Sequence, residues 1–188
     1  MLETGLILAV SATVAMAALQ DVWRLQISNP YPVAVVLFFV AWLFAVGFDW
    51  SIWQNLAVFL FTLAIGTFAF ARGALGGGDV KLLAAVSLWF DVKGSASFFL
   101  YTAIGGALLT LLFVIVRRLI PAYVQKRAGA AALQPRGPIP YGVAIAAGAI
   151  LALSSGVMNP DPDHARREMW RKIAPMPLIL PAPNSPQR

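Results

Sequence analysis

Cysteine is missing from all 188 residues, and there is a single histidine, His164. The first absence removes a thiol nucleophile, a disulfide framework and Cys-ligated zinc. His164 lies in a polar tail, so a Ser-His or Cys-His dyad inside the apolar body and an HExxH zinc site are excluded as well. Charge is scarce: Asp, Glu, Lys and Arg make up 12% of the chain, against about 25% in an ordinary soluble domain. Strict apolar/polar alternation is also lacking, which argues against a transmembrane β-barrel. On these grounds neither a metal nor a cofactor is expected.

What remains is mostly hydrophobic. Apolar residues form 60% of the chain, and the mean hydropathy is +0.76. Several apolar runs reach about 20 residues, the length that crosses roughly 30 Å of hydrocarbon. The expected class is an all-α polytopic membrane protein with about six transmembrane helices. The runs place these at about 2–19, from after Pro30-Tyr31-Pro32 to about 47, 52–71, 76–90, 95–116 and 139–157. The fourth is short: Val80 to Phe90 would rise only about 16 Å. If irregular backbone near Gly76 lies at membrane depth, protein or a water-filled cavity must surround it. Residues 1–157 are read as one membrane domain, and 158–188 as a polar, Pro-rich, disordered tail. Glu3 stands where a cleaved signal peptide would carry basic residues, so the first run is expected to be retained.

The net charge of +6 does not imply nucleic acid, because most basic residues flank apolar runs, as headgroup anchors do. One set of connections holds eight of them: Arg24, Arg72, Lys81, Arg117, Arg118, Lys126, Arg127 and Arg136. The opposite short loops hold one, Lys93. The positive-inside rule assigns the richer side to the cytoplasm and the N-terminus to the outside. Asp21 and Asp79 then both fall at cytoplasmic helix ends. Arg117-Arg118 and Lys126-Arg127 are read as contacts with anionic membrane lipids. The basic residues of the tail do not fit this count and are assigned no chemistry.

A carboxylate near lipid is costly and marks function when it faces protein or water. Asp79 follows Gly76-Gly77-Gly78 and precedes Val80-Lys81; Asp21 closes the first apolar run. Taken singly, Asp21 reads as a solvated loop residue pairing with Arg24, and Asp79 as a helix N-cap. The glycines allow positive φ or the close approach of another backbone. Taken together, two carboxylates would hydrolyse a peptide bond, one ionised as base and one protonated as acid. The residues do not say which is which. Lys81 would pair with a carboxylate or snorkel to the interface. Asp49 and Asp91, beside Trp50, Trp53 and Trp89, read as the edge of an aromatic belt. Gly105-Gly106 and 144–148 offer close helix contact.

Three blocks resemble the type IV prepilin peptidases, bacterial aspartyl proteases of the GxGD type. Asp21, Arg24, Ile27 and Asn29 match the family's first catalytic block, with Ser28 in place of its proline. Gly76-Gly77-Gly78-Asp79-Val80-Lys81-Leu82 matches the GxGD block, and Pro140-Tyr141-Gly142-Val143-Ala144-Ile145-Ala146 looks like the last-helix block. The resemblance implies catalytic Asp21 and Asp79, with Arg24, Asn29, Gly76, Gly77, Gly78 and Lys81 as the supporting substrate loops. It implies cleavage of a prepilin or pseudopilin leader at the cytoplasmic face of the bacterial inner membrane, with pilus or secretion machinery as a further partner. The missing Cys-x-x-Cys motifs make the chain similar to the short form associated with Flp/Tad pili, which implies no N-methylation. Two other classes remain open: a proton- or cation-coupled transporter using the same aspartates as ion sites, and a non-catalytic assembly scaffold in which both aspartates are dispensable. A presenilin-like protease cutting within a span also carries a GxGD loop.

Overall fold

The computed structural model describes residues 2–48, 50–119 and 139–155. The expected tail, Asp49 and nearly all of the connection after Arg118 lie outside those residues. Among the described residues the chain is all-helical: α1 (Leu2–Arg24), α2 (Pro30–Val46), α3 (Ile52–Ala71), α4 (Gly77–Ser87), α5 (Val92–Leu119) and α6 (Tyr141–Ser154). Among the described residues, three stretches are long and apolar enough to cross a membrane: Thr4–Arg24, Ile52–Ala71 and Val92–Val116. α2 and α6 are shorter apolar helices. The arrangement is that of a polytopic membrane protein.

α1 is longer than the apolar pattern suggested. It continues past Leu19 through the polar residues to Arg24. Leu25 stops it by entering the left-handed region at φ 52°, a helix-ending conformation usually left to glycine. The chain then folds back: Gln20 Nε2 donates to Ser28 Oγ at 2.8 Å, and the Ser28 amide donates to Gln20 Oε1 at 3.1 Å. Ser28 thus closes the turn with a side-chain bond. Asp21 is therefore a helical residue, not a loop residue. It continues the buried stripe Val10, Val14, Ala17, spaced as one face of a helix, and so is turned into the protein.

α4 is the centre of the bundle. It packs against α2, α3 and α6. Val80, Leu82, Ala84, Ala85, Val86 and Ser87 are all buried. This resolves the length problem, since a helix of about 16 Å need not cross the bilayer when protein surrounds it. Its far end is finished internally. Asn55 Nδ2 donates to the Leu88 carbonyl at 3.0 Å, and Trp89 Nε1 donates to the Val35 carbonyl at 3.2 Å. Trp89 is 1% exposed, a core residue against Phe39 and Trp42, not part of a surface belt. Asp91 is likewise buried. It caps α5 by accepting the Gly94 amide at 2.6 Å. Trp50 and Trp53 do lie on the exterior.

Small residues set the helix spacing. A Cβ at Gly66 would come within 2.7 Å of Val80 Cγ1, so α3 and α4 touch there. A Cβ at Gly148 would come within 2.7 Å of the Thr102 nitrogen, fixing α5 against α6. Gly105 and Gly106 face Ala144 across the same seam at ordinary contact distance. Contact of this kind replaces the hydrophobic drive that lipid cannot supply between helices.

Candidate active site

The end of α1, the α1–α2 turn, the start of α4 and the start of α6 meet at one end of the bundle. A cavity of about 410 Å³ opens there, lined by Asp21, Asn29, Gly76, Gly78, Asp79 and Lys81 together with Gly77 and the 25–27 turn. Seven of the eight residues singled out in the sequence therefore share one cavity. Arg24 does not. It is exposed at the end of α1, in a separate hollow with Trp23 and Tyr31, so its guanidinium does not line the space between the aspartates.

Asp21 is 4% exposed. Its Oδ2 accepts a hydrogen bond from the Gly142 amide at 2.8 Å. Gly142 is the second residue of α6, within the first turn where amides have no partner in the helix itself. The carboxylate at the end of one helix satisfies the start of another. A Cβ at Gly142 would lie 2.9 Å from Asp21 Oδ2, 2.9 Å from Ile27 Cδ1 and 3.1 Å from Asp21 Cβ. Only glycine leaves that space. Sequence reasoning placed Gly142 in a family block without a role; its distance along the chain from Asp21 hid the contact.

Asp79 is the third residue of α4, and Gly76 is the N-cap. The expected N-cap role for Asp79 is thus displaced by three positions, to where a side chain reaches back towards the cap amide. The glycine triplet does not use positive φ: Gly76 is extended at φ −74°, and the positive-φ glycines of the described chain are Gly47 and Gly73. The triplet serves close approach. A Cβ at Gly78 would lie 2.9 Å from the Ile27 carbonyl oxygen, so the α4 start rests against the turn that follows Asp21. One at Gly76 would lie 2.8 Å from Asp79 Oδ2.

Asp79 Oδ1 is buried and has no hydrogen-bond partner in the protein. Asp79 lies outside the three spans. Its carboxyl is pushed up to about 6, first by burial and then by the charge of Asp21, with the Gly76 amide pulling the other way. Lys81 does not offset this: its Nζ donates to Asn29 Oδ1 at 2.9 Å at the exposed rim. Among the described residues no group of three His, Cys, Asp or Glu could hold a metal ion.

A second cavity, of about 630 Å³, meets the first at Asp79. Its walls are α4, α5 and α6, with Leu83, Ala103, Ala107, Leu111 and Ile145 among the lining residues. Asp79 thus stands between a polar hollow and an apolar groove. That is a place where a chain changing from polar to apolar would put its junction.

A family model described as the type IV leader peptidase family matches residues 8–111. The prepilin leader peptidase/N-methyltransferase of Bacillus subtilis (strain 168) is 36% identical to this chain over 100 residues. That similarity covers 53% of this chain and 34% of the relative, so the chain spans about a third of that protein's length. No solved structure matches.

Proposed function

The chain belongs to the type IV leader peptidase family, and from that premise we propose that it is a membrane aspartic endopeptidase acting on prepilins or pseudopilins through Asp21 and Asp79. The observation that carries the reading is the shared cavity, in which two carboxyl groups from distant helices lie close enough for the charge of one to raise the other. One carboxylate takes a proton from a water molecule as its oxygen bonds to the scissile carbonyl carbon. The other carboxyl gives its proton to the carbonyl oxygen. Collapse of the tetrahedral species breaks the C–N bond, and the amine leaves with a proton returned by the dyad.

The two cavities support the substrate class. A pilin precursor with a short basic leader and an apolar helix places the leader in the polar hollow and the helix in the α5–α6 groove. The scissile bond then lies at Asp79. The excess of basic residues on the side carrying both aspartates supports a cytoplasmic site in the inner membrane. The absence of cysteine supports the Flp-type substrate and cleavage without N-methylation. Co-expression of an Flp-type prepilin with wild type, Asp21→Asn or Asp79→Asn tests the reading. Leader loss seen on a gel should vanish in both variants while membrane insertion is retained, and mass spectrometry should show an unmethylated pilin N-terminus. Normal processing by either variant removes the mechanism.

A further inference from the structure

We infer that Gly142 is a positioning residue whose backbone amide holds Asp21 as the ionised base of the dyad, leaving Asp79 to carry the shared proton as the acid. The inference rests on the dyad reading and assigns roles that the sequence left open.

The two carboxyl groups have unlike surroundings. Asp21 Oδ2 receives a buried N–H at 2.8 Å from the first turn of α6. A donor aimed at a carboxylate favours its charged form; the Gly76 amide acts in this sense on Asp79 as well, so the difference lies in the remaining oxygen. Asp79 Oδ1 is buried with no protein donor. An ionised oxygen there bears the full cost of lost hydration, whereas a protonated carboxyl does not. Two like charges this close do not both persist. The proton therefore resides on Asp79, and the charge on Asp21.

The reaction balances on this assignment. Asp21 accepts a proton from water as the O–C bond forms. Asp79 gives its proton to the carbonyl oxygen. When the C–N bond breaks, the proton on Asp21 passes to the leaving amine, and the diol proton released on re-forming the carbonyl returns to Asp79. Gly142 touches no reacting atom. It sets where Asp21 stands, and the lack of a side chain lets it do so. Pro140, fully buried, is the N-cap of α6.

The test uses the full chain in proteoliposomes with a purified prepilin. Gly142→Ala forces Asp21 aside, and a shift approaching 1 Å costs about 100-fold in kcat. KM should hold, because Gly142 lines neither the polar hollow nor the groove. Unchanged kcat, or a loss confined to KM, overturns the inference. A second measurement does not depend on that variant folding. In mildly acidic buffer, the infrared band of a protonated carboxyl should disappear in Asp79→Asn and persist in Asp21→Asn; the reverse pattern overturns the assignment. Normal cleavage by either aspartate variant would instead sink the dyad itself, so the two failures are distinguishable.

Discussion

Replacing Gly78 by alanine would put a Cβ 2.9 Å from the Ile27 carbonyl oxygen, 3.0 Å from Ile27 Cβ and 3.2 Å from the Ile27 nitrogen. Two of these are backbone atoms and cannot swing away. To reach ordinary contact at 3.4 Å, the start of α4 and the α1–α2 turn must part by about half an ångström. That movement alters the spacing of Asp79 and Asp21, because Asp79 belongs to the start of α4 and Asp21 to the last turn of α1, which leads into the displaced turn. Overpacking of this kind costs about 1–3 kcal/mol. A displacement of about half an ångström at a reacting group reaches the limit of what a catalytic geometry absorbs, so the cleavage rate should fall by about tenfold to 100-fold. Gly77 is the control. Its Cβ would meet only Phe70 ring carbons, the nearest at 3.4 Å, and alanine in a helix stabilises by about 0.4–1 kcal/mol through the unfolded chain. Gly77→Ala should lose clearly less activity than Gly78→Ala and melt no lower. The assay is the initial rate of leader release in proteoliposomes, with thermal melting of each variant. Equal activity of the two variants, or a greater loss at Gly77, would refute the argument.

Cleavage should also depend on pH with a definite sign. Asp79 is the group raised to about 6, and the dyad needs one protonated carboxyl. Activity should therefore decline as pH rises through about 6, and a rate that instead climbs across that range would contradict a proton held on Asp79. The groove makes a separate claim. Ala107→Phe fills the wall of α5, so KM for prepilin should rise severalfold while cleavage of a soluble leader-junction peptide is preserved; equal effects on both substrates would remove the groove from substrate binding.

Much of the architecture was legible before any coordinates. The absence of cysteine, the apolar runs and the sparse charges led to a helical membrane protein with six segments, and α3 was placed at its observed bounds. The misreadings share a cause. Hydropathy reports where lipid-like residues stop, not where the helix stops, so α1 was cut at Leu19 and Asp21 was put in a loop. Trp89 and Asp91 read as boundary residues because tryptophan and aspartate favour interfaces; the Val35 carbonyl and the Gly94 amide take them inside. The short fourth segment was anomalous as a span and ordinary as a buried central helix.

By itself the chain determined its solvent, its helices and where its few carboxylates fall along them, since composition and periodicity are local properties. Tertiary structure alone decided that Gly142 reaches Asp21, that Gly78 rests on Ile27, and that Asp79 lies where a polar hollow meets an apolar groove. Those contacts join residues far apart in the chain, and no local pattern records which helix face will meet which.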